Sequence, residues 1–252
     1  MPDFSTFNGL KLCVVIPTYN NAQTLEKVVR DARAHQVAVM VVNDGSTDST
    51  PVVMNQLGDD IIKLHYEKNR GKGYALRLAF RMALNQGYDY VLTMDADGQH
   101  LASDFPIFEE NIRKHPDTLI VGSRGMEEEN MPKKNSFANR FSNFWFAVQT
   151  FRKLPDTQSG FRVYPLKKMG KVRWLTNRYE TELEILVRCA WRGVEIVPVP
   201  VHVYYPPAEE RVSHFRPRVD FLRISLLNTF LCLLALVYGY PSMLIHKLLK
   251  KR

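Results

Sequence analysis

Three short apolar runs in the first hundred residues each stop on a polar cluster, and helical segments separate them. Leu12 to Ile16 is closed by Pro17 and followed by Thr18-Tyr19-Asn20. Val37 to Val42 runs into Asn43-Asp44-Gly45-Ser46, and Tyr90 to Met94 runs into Asp95-Ala96-Asp97. Runs of this kind, rich in β-branched residues, read as strands buried on both faces. Ala22 to His35 places Leu25, Val28, Val29 and Ala32 at helical spacing, and Gly73 to Gln86 does so with Ala75, Leu76, Ala79, Phe80, Ala83 and Leu84. Further strands are expected at Ile61 to Tyr66 and Thr118 to Val121. Helices are expected over Thr47 to Leu57 and from Ser103, as N-cap, to His115. This alternation predicts an α/β fold: a mostly parallel sheet covered on both faces. Such sheets bind ligands beyond the carboxyl ends of their strands, so the three polar clusters should converge.

Beyond Val121 the pattern loosens. Asn135 to Phe151 and Asn177 to Trp191 read as helices. Val194 to Val203, broken by Pro198 and Pro200, reads as an edge strand. At 252 residues, 45% of them hydrophobic, the chain can build one large domain or two small ones. A net charge of +8 fits an anionic partner. The basic residues are dispersed and precede an apolar segment, which disfavours nucleic acid. Cys13, Cys189 and Cys232 lie far apart in apolar runs, with neither disulfide nor zinc spacing. Residues 1–10 form a tail without signal-peptide character.

Asp95, Asp97 and Gln99 alternate along the chain and can share one side of it. Hard oxygen ligands at a strand end suit Mg²⁺ or Mn²⁺ beside substrate phosphates; the plainer reading is a polar turn. Asp44 can accept hydrogen bonds from a base or ribose, and Gly45 permits a tight turn. Asp48 reads as a helix cap. The loop Lys68-Asn69-Arg70-Gly71-Lys72-Gly73 fits either a phosphate contact through backbone N–H groups or a solvated loop.

In this order, Val-Val-Ile-Pro-Thr-Tyr-Asn-Asn, Asn-Asp-Gly-Ser-Thr-Asp, Asn-Arg-Gly-Lys-Gly and Asp-Ala-Asp-Gly-Gln-His resemble family-2 glycosyltransferases of the GT-A fold. Gln99-His100, Val121-Gly122-Ser123-Arg124 and Asp156-Thr157-Gln158-Ser159-Gly160-Phe161-Arg162 are similar to the polyprenyl-phosphate (dolichyl-phosphate) sugar synthases within it. The resemblance covers roughly residues 11–217. It implies a nucleotide-sugar donor, a divalent ion and a lipid-phosphate acceptor. Pro17, Tyr19 and Asp44 would hold the base and ribose. Asp95 and Asp97 would face the donor diphosphate, with Asp97 and Gln99 on the metal. Arg124 would meet an acceptor or product phosphate, and Gln158, Ser159 and Arg162 belong to the acceptor-loop motif. Arg211, Ser213 and His214 match a late loop that closes over the donor in relatives. Asn21 stands where the family usually has glutamate, and the late loop is shorter than usual.

A lipid phosphate is already ionised near neutral pH and needs no general base, whereas a sugar hydroxyl does. Glu180 and Glu182 are the candidate bases. However, Asn177 with Glu180 fits a capping box, and Glu182 fits a solvated helix position. The scarcity of bases favours a phosphate acceptor. A glycolipid hydroxyl acceptor and a non-catalytic nucleotide-sugar-binding subunit are the rivals.

Ile224 to Ile245 carries no formal charge and is long enough to span a bilayer. Gly239-Tyr240-Pro241 interrupts it. Basic residues flank both ends (Arg216, Arg218, Arg223; Lys247, Lys250, Lys251, Arg252), against the charge bias of a single span. Ser225, Asn228, Cys232, Ala235 and Gly239 form a small, partly polar stripe suited to packing. The expectation is a catalytic domain over 11–205, a basic loop over 206–218, and an interfacial or re-entrant helix over 219–252, with a single span close behind and a buried core helix as the plainer reading. That helix would lie on the cytoplasmic membrane face.

Overall fold

A computed structural model describes residues 7–124, 133–170, 172–205 and 217–249. One sheet contains β1 (Leu12–Thr18), β2 (Ala38–Asp44), β3 (Ile62–Tyr66), β4 (Tyr90–Thr93), β5 (Leu119–Arg124), β6 (Arg162–Pro165) and β7 (Ile196–Val201). Its order is β3-β2-β1-β4-β6-β5-β7. All pairings are parallel except those of β6, which runs against both β4 and β5. The chain winds outward from β1 through β2 to β3, then returns to place β4 on the other side of β1. The strand order reverses there, and the crevice opens at that point.

The helices are α1 (Leu25–Arg33), α2 (Thr50–Gln56), α3 (Lys72–Asn85), α4 (Phe105–Lys114), α5 (Lys133–Thr150), α6 (Leu166–Met169), α7 (Thr181–Trp191), α8 (Pro217–Leu234) and α9 (Tyr240–Leu249). One core layer packs α1, α2 and α4 on the sheet through Leu25, Val28, Met54, Phe105 and Phe108. The other packs α3, α5, α7 and α8 through Leu76, Phe146, Leu186, Trp191 and Leu231. Every residue of β2 is buried, which accounts for its unbroken apolar run. β7 is an edge strand, so Pro198 and Pro200 remove no central ladder bond. Cys13 and Cys189 are buried, and burial pushes their thiols up to about 12.

Two local expectations are corrected. Ser103 caps no helix with its side chain: a 3₁₀ turn, Ala102–Asp104, precedes α4. The buried Asp104 carboxylate instead accepts from the His202 backbone (2.7 Å), tying the end of β7 to this turn. Asn177 and Glu180 form no capping box; the Asn177 side-chain oxygen accepts from Arg77, and α7 has no side-chain cap.

Leu222–Leu249 is one helical stretch of 28 residues, long and apolar enough to cross a membrane. Leu227, Asn228, Leu231 and Ala235 face the domain, while Leu222, Leu226, Phe230, Leu233 and Val237 are exposed. Gln149 Nε2 donates to Asn228 Oδ1 (3.0 Å), and Tyr240 Oη donates to the Val148 carbonyl (2.7 Å). The interruption is a π turn, Ala235–Gly239. The helix continues beyond it with Ser242 on the inner face. There Ser242 Oγ donates to the Trp191 carbonyl (2.7 Å). Asn228, Ala235 and Gly239 of the small-residue stripe are the buried ones, as that stripe implies.

Gly239 lies against the fully buried Trp191 indole, leaving no room for a Cβ. Gly239→Val should therefore cost about 1–3 kcal/mol through overpacking. Differential scanning calorimetry should show Tm falling by roughly 2–12 °C. An unchanged Tm would mean that α8 and α9 do not close the core.

Candidate active site

Three elements meet at one ammonium. Lys72 opens α3, Asp95 follows β4, and Glu182 lies in the first turn of α7. Lys72 Nζ is 2.5 Å from Asp95 Oδ1 and 2.6 Å from Glu182 Oε1. Burial alone would lower the Lys72 pKa, but the charges of Asp95 and Glu182 outweigh it and hold it above its ordinary value. Burial likewise opposes ionisation of Asp95, yet the charge and hydrogen bond of Lys72, with Arg162 nearby, keep its carboxyl below the usual range. Gly160 makes this packing possible. A Cβ there would lie 2.7 Å from Lys72 Nζ, 2.8 Å from Asp95 Oδ2 and 2.9 Å from Glu182 Oε1. Glu182 is thus a buried ion-pair partner, which corrects its reading as a solvated helix position.

Asp97 and Gln99 follow on the same loop, both partly exposed. The Gln99 N–H donates to Asp97 Oδ1 (3.0 Å). Burial pushes the Asp97 carboxyl up, and the neighbouring Asp95 charge adds to that. Unlike Asp95, Asp97 has no cation bonded to it among the described residues. His100 is buried, stacks on Phe161 (4.8 Å between centroids, 18° between planes), and accepts the Asp95 N–H at Nδ1 (3.1 Å). That bond fixes the backbone from which the Asp95 side chain projects.

No group of three or more His, Cys, Asp or Glu among the described residues could hold a metal by itself. Asp97 and Gln99 offer oxygens, and Asp97 carries unbalanced charge. This donor set fits Mg²⁺ or Mn²⁺, which complete their shells with substrate phosphate oxygens and water.

Pro17 lies in β1 and Tyr19 on the loop after it, both partly exposed. That loop is tied to the one after β2. Asn20 Oδ1 accepts the Thr47 N–H (2.8 Å), and the Asn21 N–H donates to Thr50 Oγ1 (2.9 Å). Asp48 accepts the Thr50 N–H (2.9 Å) from one residue before the N-cap of α2, which is Ser49 and has no side-chain cap bond. The buried Asp44 carboxylate accepts the Arg70 and Gly71 N–H groups, each at 2.7 Å. Burial raises its pKa against those two bonds. The Gly73 N–H donates to the Asn177 carbonyl (2.7 Å). These three amides of the basic loop therefore bind protein, and the loop serves to orient Asp44 and deliver Lys72.

β6 brings the Asp156–Arg162 loop to the end of β4, where Thr93 Oγ1 donates to the Gly160 carbonyl (2.6 Å). Asp156 organises this loop from within. It accepts the Gln158 and Ser159 N–H groups (3.0 and 3.1 Å) and takes Arg124 in a fork, Nε at 2.6 Å and Nη2 at 3.0 Å. Arg124 Nη1 has no hydrogen-bond partner among the described residues. Ser159 Oγ accepts the Phe161 N–H (3.3 Å), while Gln158 is partly exposed. Arg162 is fully buried and donates to the carbonyls of Ser159, Thr157 and Glu182.

Thus Pro17, Tyr19, Asp44, Asp95, Asp97, Gln99, Arg124, Gln158 and Ser159 are drawn to the strand-end rim, and Arg162 lies beneath it. Arg211, Ser213 and His214 lie outside the described residues. The chain leaves for that segment beside the carboxylate loop, with the Tyr204 N–H on the Gln99 carbonyl (2.9 Å). Sequence reasoning missed the Lys72 bridge, the Gly160 packing position and the Asp156 hub. The one signal for the hub was its place at the head of the Asp-Thr-Gln-Ser-Gly-Phe-Arg motif.

Burial opposes ionisation of Asp156, but the Arg124 fork and the loop amides hold its pKa below the ordinary value. A depressed carboxyl stabilises the fold above its unfolded pKa, near 4, and loses that contribution as pH falls through the folded value. Chemical denaturation of Asp156→Asn against wild type should give a constant deficit above about pH 5 that shrinks below about pH 4. A deficit that does not vary with pH would contradict an ionised Asp156.

Residues 13–172 match the family described as Glycosyl transferase family 2. Over 213 residues the chain is 28% identical to a UDP-N-acetylglucosamine–dolichyl-phosphate N-acetylglucosaminyltransferase of Methanococcus voltae, covering 76% of this chain and 85% of that one. Over 206 residues it is 29% identical to the polyprenol monophosphomannose synthase of Mycolicibacterium smegmatis, covering 75% of each. Its fold is that of glucosyl-3-phosphoglycerate synthase from Mycobacterium tuberculosis, crystallised with Mn²⁺, UDP and phosphoglyceric acid. That superposition has a TM-score of 0.65 at 16% identity over 90% of this chain and 79% of the other. With its GT-A sheet and its strand-end carboxylates, the chain is a glycosyltransferase and belongs to glycosyl transferase family 2.

Proposed function

We propose that the enzyme moves a sugar, with inversion, from a nucleotide-sugar donor onto a polyprenyl (dolichyl-type) phosphate at the cytoplasmic membrane face, using Mg²⁺ or Mn²⁺. The observation that carries this reading is the charge arrangement at the rim. Asp95 is ion-paired to Lys72, Asp97 has no bonded cation among the described residues, and Arg124 keeps one guanidinium nitrogen unpartnered there. Relatives that pass sugars to dolichyl or polyprenyl phosphates support the acceptor class.

Pro17, Tyr19 and Asp44 bind the base and ribose in this reading. Asp97 and Gln99 hold the ion, and Asp95 faces the diphosphate with its orientation fixed by Lys72 and His100. The ion would stabilise the charge that develops on the leaving diphosphate. Arg124 Nη1 and Gln158 receive the acceptor phosphate, Ser159 shapes their loop, and Arg162 positions it from below. Arg211, Ser213 and His214 close over the donor from a segment that starts beside Gln99. The attacking oxygen is an ionised phosphate, so no residue has to take its proton. Glu182 is committed to Lys72, in keeping with this.

The C-terminal helix is read as interfacial. It is docked on the domain from Asn228 to Ser242, roughly 21 Å of helix. A helix so docked cannot cross a bilayer without carrying α5 and α7 with it, while its outer apolar face suits the acyl boundary.

A second reading, a lipid hydroxyl acceptor, is favoured by Glu180: its buried Oε2 has no hydrogen-bond partner among the described residues, as an idle base would. Assays with purified enzyme, Mg²⁺ or Mn²⁺ and a panel of nucleotide sugars separate the two. Polyprenyl phosphate should accept sugar and polyprenol should not. Asp97→Ala should lower kcat/KM by about 10²-fold or more with the fold retained. Glu180→Gln should stay within a few-fold of wild type. A loss of 10²–10⁴-fold in Glu180→Gln, with polyprenol as acceptor, would favour the hydroxyl reading.

A further inference from the structure

At the far end of α7 from Glu182, a cavity of about 360 Å³ opens between that helix and the α8–α9 junction. Val172, Arg173, Arg188, Arg192, Leu234 and Tyr238 line it. Arg192 follows Glu182 by ten residues, roughly 15 Å along a helix axis, so this is not the strand-end site. Three of the lining residues are cations and none is an anion. Arg188 Nε donates to the buried Glu184 (2.6 Å), which orients its guanidinium, and Arg192 lies over the Tyr238 ring at 5.6 Å. The other guanidinium nitrogens of Arg188, and those of Arg173 and Arg192, have no hydrogen-bond partner among the described residues. The opposite wall is apolar, and Leu234 and Tyr238 sit next to the exposed Leu233 and Val237.

We propose that this cavity binds the phosphate of one anionic phospholipid, as a lipid site separate from the acceptor site. The proposal rests on the interfacial placement of the C-terminal helix. With Leu233 and Val237 at the acyl boundary, Tyr238 lies at headgroup depth, where amphipathic rings concentrate. The arginines then meet a phosphodiester as forked donors, and Leu234 covers the first methylenes of the lipid. A water-soluble phosphate would leave that apolar wall unused. The site would hold the enzyme at a fixed rotation on the membrane while the strand-end crevice stays open to a second lipid.

The test is flotation of the full-length protein with vesicles of phosphatidylcholine alone or with phosphatidylglycerol added. Wild type should bind both and prefer the anionic ones. Arg173→Gln/Arg192→Gln should lose about 30-fold in affinity for the anionic vesicles, at about 1 kcal/mol per basic residue. Its binding to phosphatidylcholine, its Tm and its transfer to a short soluble acceptor should be unchanged. Arg173→Lys/Arg192→Lys keeps the charge but loses the planar fork, so its preference should fall between those of wild type and the glutamine variant. Full retention in the lysine variant would reduce the effect to diffuse attraction and overturn the site, as would wild-type behaviour of the glutamine variant. Release from anionic vesicles by equimolar inorganic phosphate would show a site for free phosphate and overturn the lipid assignment. If wild type binds neither vesicle, the interfacial helix itself fails and the site falls with it. If wild type binds and all variants match it, only the site fails.

Discussion

The ammonium of Lys72, held between Asp95 and Glu182, is the contact on which the rest of the site depends. It joins the start of α3, the end of β4 and the first turn of α7, which are far apart in sequence. Removing it would leave two adjacent carboxylates facing each other in a poorly solvated place, a far larger cost than losing a surface ion pair. Gly160 is part of the same device, because any side chain there would push the three groups apart. Asp95 is thus bonded to a cation, and the neighbouring carboxylate without one among the described residues is Asp97. In the reading proposed above, a cation recruited there would arrive with the diphosphate it binds, instead of being held by a closed protein cage.

The Asp156–Arg162 loop repeats this logic with opposite sign. Asp156 forks Arg124 from inside its loop, while Arg162 fastens the same loop to α7 through backbone carbonyls. Both clusters are therefore built from internal pairs before any substrate binds, which is the kind of preorganisation that electrostatic catalysis needs. The helix α8 belongs to the same body. It covers Trp191 on α7, so the apolar outer face and the catalytic crevice are rigidly related.

The strands and helices up to β5 were legible because each obeys one period, and their polar endings marked the crevice. β6 was not. It is a four-residue strand containing arginine and proline, and it exists because a gap between β4 and β5 receives it. The donor and metal candidates were legible as residue types at strand ends. Their pairings were not. The loop carrying Lys72 read as either a phosphate contact or a solvated loop and Glu182 as a solvated position, since nothing in sequence spacing says that α3 and α7 begin at the same point. Asn177 and Glu180 matched a capping box, but Arg77, a hundred residues upstream, took the asparagine oxygen instead. The small-residue stripe after Arg223 was readable because a packed helix repeats its inner face. The π turn within it left no sequence signal beyond Gly239.

The most direct measurement is anomalous diffraction at the manganese edge from crystals grown with Mn²⁺ and a nucleoside diphosphate. The expected result is one strong peak within coordination distance of Asp97 and Gln99, with the diphosphate beside Asp95 and the Lys72 bridge intact. A diphosphate bound at these strand ends with no manganese beside Asp97, or manganese held by other residues, would contradict it.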